Sequence, residues 1–145
     1  MNRKFALIAL AAAIGFSSAA HAAEYEIRML NRGERPMVFE PEFVRAQPGD
    51  TLRFVAVDPG HNAETIPGML PEGADPFKGA INEEVVYTVE AEGVYGIKCL
   101  PHYGMGMVML VVVGAPENLE AVRNVRHPGR ARGVFEALLD RVTAE

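Results

Sequence analysis

Residues 107–113 read MVMLVVV, seven apolar side chains in a row. The run is too short to span a bilayer as a helix, which takes about 20 residues. It has the length of a strand buried on both faces. Any fold this chain adopts has to enclose that strand.

Shorter strand signals precede it. EYEIRML alternates Tyr25, Ile27 and Met29 with charged residues, the pattern of a strand with one wet face. MVFEPEFVRA, residues 37–46, is two apolar pieces around a proline break, and Pro48-Gly49-Asp50 follows as a turn. TLRFVAV sets Leu52, Phe54 and Ala56 on one side and is closed by Asp58-Pro59-Gly60. From His61 to Ala80 the chain is rich in Pro and Gly without a lasting period, so it reads as a long loop with at most one short helical turn. NEEVVYTVEAEG reads as a strand and turn, and VYGIKC as a strand with Tyr95, Ile97 and Cys99 on one face. Short strands at near-regular spacing predict a β-sandwich. After Gly114 the period changes. Pro116 is expected to open a helix as its first residue, with Leu119, Val122 and Val125 at three-residue steps. Pro128 breaks it. A second amphipathic helix follows on Val134, Leu138 and Val142, with Phe135 and Leu139 beside them. The expectation is an all-β sandwich with two C-terminal α-helices, the helical tail running from about 116 to 143.

The first 22 residues do not belong to this plan. Arg3 and Lys4, an apolar run from Phe5 to Phe16 and the small-x-small Ala20-His21-Ala22 have the layout of a secretory signal peptide, cleaved after Ala22 or Ala23. Residues 23–145 then form a single exported domain, and no later segment reads as membrane-inserted. Removing the leader takes two of the 14 basic residues and none of the 19 acidic ones, which leaves a balance of −7. That argues against general nucleic-acid binding, which needs a basic face.

Export makes the single cysteine conspicuous. Cys99 has no partner for a disulfide within the chain, so it must be buried, dimer-linked or metal-bound. A lone cysteine is more often a small buried hydrophobe. Here it opens CLPHYGMGM, with His102 three residues on and Met105, Met107 and Met109 in alternation. His21 leaves with the leader, and His127 lies next to Pro128, far in sequence from any other soft ligand. His61 and His102 remain, and His61 joins the set if the two loops meet at one pole of the sandwich. Two imidazoles, one thiolate and a long axial thioether select copper in a one-electron site. Zinc accepts the same nitrogen and sulfur atoms but prefers a fourth strong donor, and it has no redox role. Calcium and magnesium want oxygen. By spacing, all three methionines remain open as the thioether.

EPEFVRAQPGDTLRFVAVDPGHNAETIPGMLPEGADPFKGAINEE together with GVYGIKCLPHYGMGMVMLVVVG resembles the pseudoazurins, blue-copper electron carriers of the cupredoxin family. The likeness covers nearly the whole chain after the leader, including the two-helix tail, which separates this family from plastocyanins and amicyanins. It implies a cupredoxin-type Greek-key β-sandwich and one copper ion, cycling between Cu(I) and Cu(II), on His61, Cys99, His102 and Met107. It implies a supporting role for Asn62, whose amide ties the His61 loop to the cysteine loop and whose backbone N–H faces the sulfur. The family often has Thr after the cysteine. Here it is Leu100, which leaves backbone groups as partners for Asn62. Gly60 is expected close to the copper, opposite Met107.

The expected activity is electron transfer by a monomer, without catalysis. His102 is the ligand nearest the surface, inside an apolar collar of Pro101, Gly104, Met105 and Met37. Arg32, Lys78 and Lys98 form a basic ring, weaker than in many relatives because Pro59 stands where a lysine is common. The resemblance implies redox partners such as copper nitrite reductase or c-type cytochromes, in denitrification or respiration. A copper-binding or delivery protein using the same ligands is the alternative. Cys99 as a nucleophile with His102 as its base is disfavoured, because no third group or oxyanion motif accompanies them.

Overall fold

The computed structural model describes residues 21–144. The expected leader lies almost entirely outside them. Eight strands are formed: β1 (Glu24–Arg32), β2 (Pro36–Glu40), β3 (Phe43–Ala46), β4 (Thr51–Ala56), β5 (Glu64–Thr65), β6 (Val85–Thr88), β7 (Gly93–Lys98) and β8 (Val108–Val113). They make two four-stranded sheets, in the orders β2-β1-β4-β6 and β3-β8-β7-β5. Most connections cross from one sheet to the other, so β1 lies parallel to β4 and β3 parallel to β8 although both sheets are mainly antiparallel. This is the expected sandwich.

Period-two alternation decides which side chains meet. Ile27, Met29, Phe39, Leu52 and Phe54 of the first sheet face Tyr95, Ile97, Met109, Val111 and Val113 of the second. The opposite face of β8 carries Val108, Leu110 and Val112, and it is closed by Phe135, Leu138, Leu139 and Val142 of α2 (Ala131–Thr143). The all-apolar run is therefore a strand between a sheet and a helix.

Two boundaries differ from the expectation. The first helix, α1, begins at Leu119 and ends at Arg123, so Pro116 lies before it. The Asn118 side chain accepts from Val94 N–H at 2.6 Å and donates to Val94 O at 2.9 Å, which holds the preceding turn against the edge of β7. The 61–80 loop contains a strand in place of a helical turn. The two residues of β5 pair with the end of β7, Glu64 opposite Lys98 and Thr65 opposite Ile97. No helix among the described residues is long and apolar enough to cross a membrane.

Candidate metal centre

The β7–β8 ladder builds one side of the site. Lys98 pairs with Val108, and one step further Cys99 N–H donates to Met107 O at 3.0 Å. Cys99 and Met107, both fully buried, are thus opposed across the mouth of the hairpin. The connecting residues Leu100–Met105 form a 3₁₀ segment rather than an open turn, with a break from helical geometry at His102 (φ −117°, ψ 18°). His102 N–H donates to Cys99 O, and His102 O accepts from Met107 N–H, both at 3.2 Å. One histidine is thereby fastened to both sulfur-bearing residues.

His61 arrives from the other sheet. The chain leaves β4 and turns at Gly60 (φ 95°), a left-handed conformation that favours glycine. Asn82 fixes this turn: its Oδ1 accepts from Gly60 N–H at 2.6 Å, and its N–H donates to His61 O at 2.8 Å. His61 is fully buried, and its Nε2 has no partner among the described residues.

His61, Cys99 and His102 converge. The two Nδ1 atoms are 3.1 Å apart, and Cys99 Sγ lies 3.7 Å from that of His61 and 3.5 Å from that of His102. The point equidistant from these atoms is about 2 Å from each, the length of a metal–imidazole bond. No carboxylate joins them, and together they are the candidate metal-holding group among the described residues. Burial pushes the Cys99 thiol up, while the backbone N–H groups of Asn62 and His102 at the sulfur pull it down and the Glu64 charge raises it again. Burial lowers His61, helped by His102 and opposed by Asp58. A neutral imidazole is ready to ligate. The thiol gives up its proton only to a cation that replaces it. A soft sulfur and two nitrogens fit copper.

Residues 26–114 match the family of copper binding proteins described as the plastocyanin/azurin family. A pseudoazurin from Paracoccus pantotrophus is 51% identical over 136 residues, covering 92% of this chain and 94% of that one. The chain belongs to the pseudoazurins. The refined crystal structure of pseudoazurin from Methylobacterium extorquens AM1 superposes with a TM-score of 0.80 at 46% identity, covering 83% of this chain and 99% of that one. That of native pseudoazurin from Hyphomicrobium denitrificans gives 0.79 at 43%, covering 83% and 98%. Pseudoazurins are blue-copper electron-transfer proteins, so the cofactor is copper and the fold is the cupredoxin sandwich.

Around the donor triangle this pseudoazurin fold has its own arrangement. Asn62 accepts from Leu100 N–H at 2.7 Å and donates to Glu64 Oε2 at 3.0 Å and to Gly79 O at 3.1 Å. A backbone amide thus replaces the hydroxyl that a Thr at position 100 would offer. Leu100 itself is 47% exposed beside Met105 at 46%, with Pro101 also exposed. The exposure of Leu100 is a feature that the sequence did not suggest. Met37 is half-buried against the inter-sheet core, at φ 53°. Arg32 and Lys78 are exposed. Lys98 is not: its side chain is 15% exposed, and its Nζ lies 3.4 Å from Glu64 Oε1 and 4.9 Å from the Tyr103 ring centre. The β5–β7 register, which no local sequence signal reveals, gives it a buried partner.

Proposed function

We infer that His61, Cys99, His102 and Met107 hold one copper ion, and that the protein carries single electrons between redox partners in the periplasm, in denitrification or respiration. The observation that carries this reading is the convergence of two imidazole nitrogens and one sulfur on a common centre. Copper, when bound, supplies a one-electron couple. Met107 is the fourth ligand in this reading, and its backbone hydrogen bonds to Cys99 and His102, which keep it next to both, support it. Packing keeps Cys99 and His61 away from water, and His102 alone of the three is partly exposed. Its ring offers the short route between the donor set and the surface.

The exposed Leu100, Pro101 and Met105 lie on the segment that carries that ring and serve as an apolar landing, with half-buried Met37 as a further member. Electron carriers use small interfaces, under about 1,200 Å² in total, because they must release quickly. Arg32 and Lys78 supply steering charge for a partner such as copper nitrite reductase or a c-type cytochrome. Gly60, whose amide is held by Asn82, is the backbone group assigned to the side of the copper opposite Met107 in this reading. The leader read over residues 1–22 supports export, and one such site per chain suits a monomer. A nucleophilic role for Cys99 is opposed by its complete burial.

The test is to add Cu(II) to the purified mature protein and follow the visible spectrum. One equivalent is expected to produce an intense thiolate-to-copper band that ascorbate bleaches and ferricyanide restores. No band from a folded protein with Cys99 reduced would overturn the reading. A band that a chelator removes within seconds would point to copper delivery.

A further inference from the structure

The 3₁₀ segment that carries His102 has no buried residue of its own. It contains Gly104 and is capped by Gly106, and short 3₁₀ segments are weakly held by their own hydrogen bonds. Something outside the segment has to keep His102 Nδ1 at the triangle. Part of the support comes from the β4–β5 connection and the β1–β2 turn, through Asn62 on Leu100 N–H and Arg35 on Gly106 O at 3.0 Å. The rest comes from the tail. Arg130 N–H donates to Gly104 O at 2.9 Å. A Cβ at Gly129 (φ 52°) would lie 2.4 Å from Gly104 O, so the linker between α1 and α2 presses backbone to backbone on the copper loop. One residue before Gly104, the Tyr103 hydroxyl is 2.6 Å from His127 Nδ1.

His127 is held as a fixed post. Its ring stacks on Phe135 of α2 at 4.3 Å between centres, and Phe135 is buried in the core under β8. Its Nε2 is sealed from solvent without a partner, so Tyr103 is the one hydrogen-bond partner its ring has among the described residues. A buried polar atom left unpaired is unfavourable and is kept where the surroundings dictate it. On its other side the Tyr103 ring faces Lys98 Nζ, which is paired to Glu64, which bonds Asn62. Tyr103 is therefore the junction between the network around Cys99 and the tail.

We propose that the C-terminal tail is a brace for the copper loop and that His127 is its positioning residue, acting through Tyr103 to hold His102 in place whether or not metal is bound. This extends the reading of His102 as a ligand, but the bracing is a property of the chain and can be measured without copper. The experiment is amide hydrogen exchange on the metal-free protein, reading Gly106, Met107 and Arg130, whose N–H groups bond to Tyr103 O, His102 O and Gly104 O. His127→Phe keeps a ring on Phe135 and removes the bond, and Tyr103→Phe removes it from the other side. Each is expected to speed exchange at these amides about tenfold, a difference of about 1.4 kcal/mol. The double variant is expected to do no more than either single one, because one bond is lost in all three. His127→Asn, which places an oxygen near the position of Nδ1, is expected to restore protection. Copper-loaded His127→Phe should also show a shifted reduction potential. Unchanged exchange at the three amides, or faster exchange confined to α2, would overturn the proposal. Either result would leave the copper reading intact, since that one fails only if the wild-type protein gives no thiolate-to-copper band.

Discussion

The side chain of Asn62 makes three hydrogen bonds from a buried position, and their loss can be weighed. In Asn62→Ala the Glu64 carboxylate loses a charge-assisted bond, worth about 2 kcal/mol. Leu100 N–H and Gly79 O lose neutral bonds of about 1 kcal/mol each. Both are only partly buried, so water recovers some of this, while Glu64 keeps Lys98. The net cost is about 3 kcal/mol. For a domain near 120 residues each kcal/mol lowers Tm by about 3–6 °C, so the expected drop is about 10–15 °C. The assay is thermal unfolding of the metal-free protein at neutral pH, followed by circular dichroism. In the copper protein the same substitution should lower the reduction potential, because the loop that aims the Asn62 N–H at the sulfur loses its anchor and Cu(I)-thiolate loses stabilisation. A Tm within about 3 °C of wild type would refute the reasoning, since it would mean that water fully replaces three protein partners.

Further outcomes follow from the same geometry. Cys99→Ser should abolish the thiolate band and leave the fold intact, which absorbance and circular dichroism together would show. Lys98→Met should cost stability with little change in the ionic-strength dependence of electron exchange, whereas Arg32→Ala and Lys78→Ala should flatten that dependence, as stopped-flow oxidation by ferricyanide would reveal. His61 and His127 are both held below the ordinary histidine range by burial, so the folded protein binds fewer protons than the unfolded chain there. Stability of the metal-free protein is therefore complete above pH ~6.5 and declines as pH falls through the lowered values. Melting curves between pH 7.5 and 5.5 should show the decline, and His127→Phe should make it shallower.

Much of this protein was legible in one dimension because the relevant signals are local. MVMLVVV can satisfy its backbone and its side chains only as an enclosed strand, and the alternation in β1 and β4 selects their buried faces. Cys99, His102 and Met107 lie within nine residues on one hairpin, so their meeting depends on one ladder. Asn62 and Leu100 were also readable as a pair, since a missing hydroxyl leaves the backbone amide as the donor.

The remainder rests on contacts between segments that are distant in sequence. Lys98 reads as a docking charge until the β5–β7 register sets it against Glu64. Leu100 reads as a lost hydroxyl until the 3₁₀ segment turns it outward. His127 reads as a spare histidine until the tail folds over β8 and brings it to Tyr103, 24 residues away. Residue types and short spacings narrowed the candidate copper donors and determined which strands must be covered. The tertiary structure alone decided which charges are exposed, which apolar groups face solvent and what packs on the loop of His102, because burial and long-range pairing are properties of the packed chain and leave no periodic trace in its sequence.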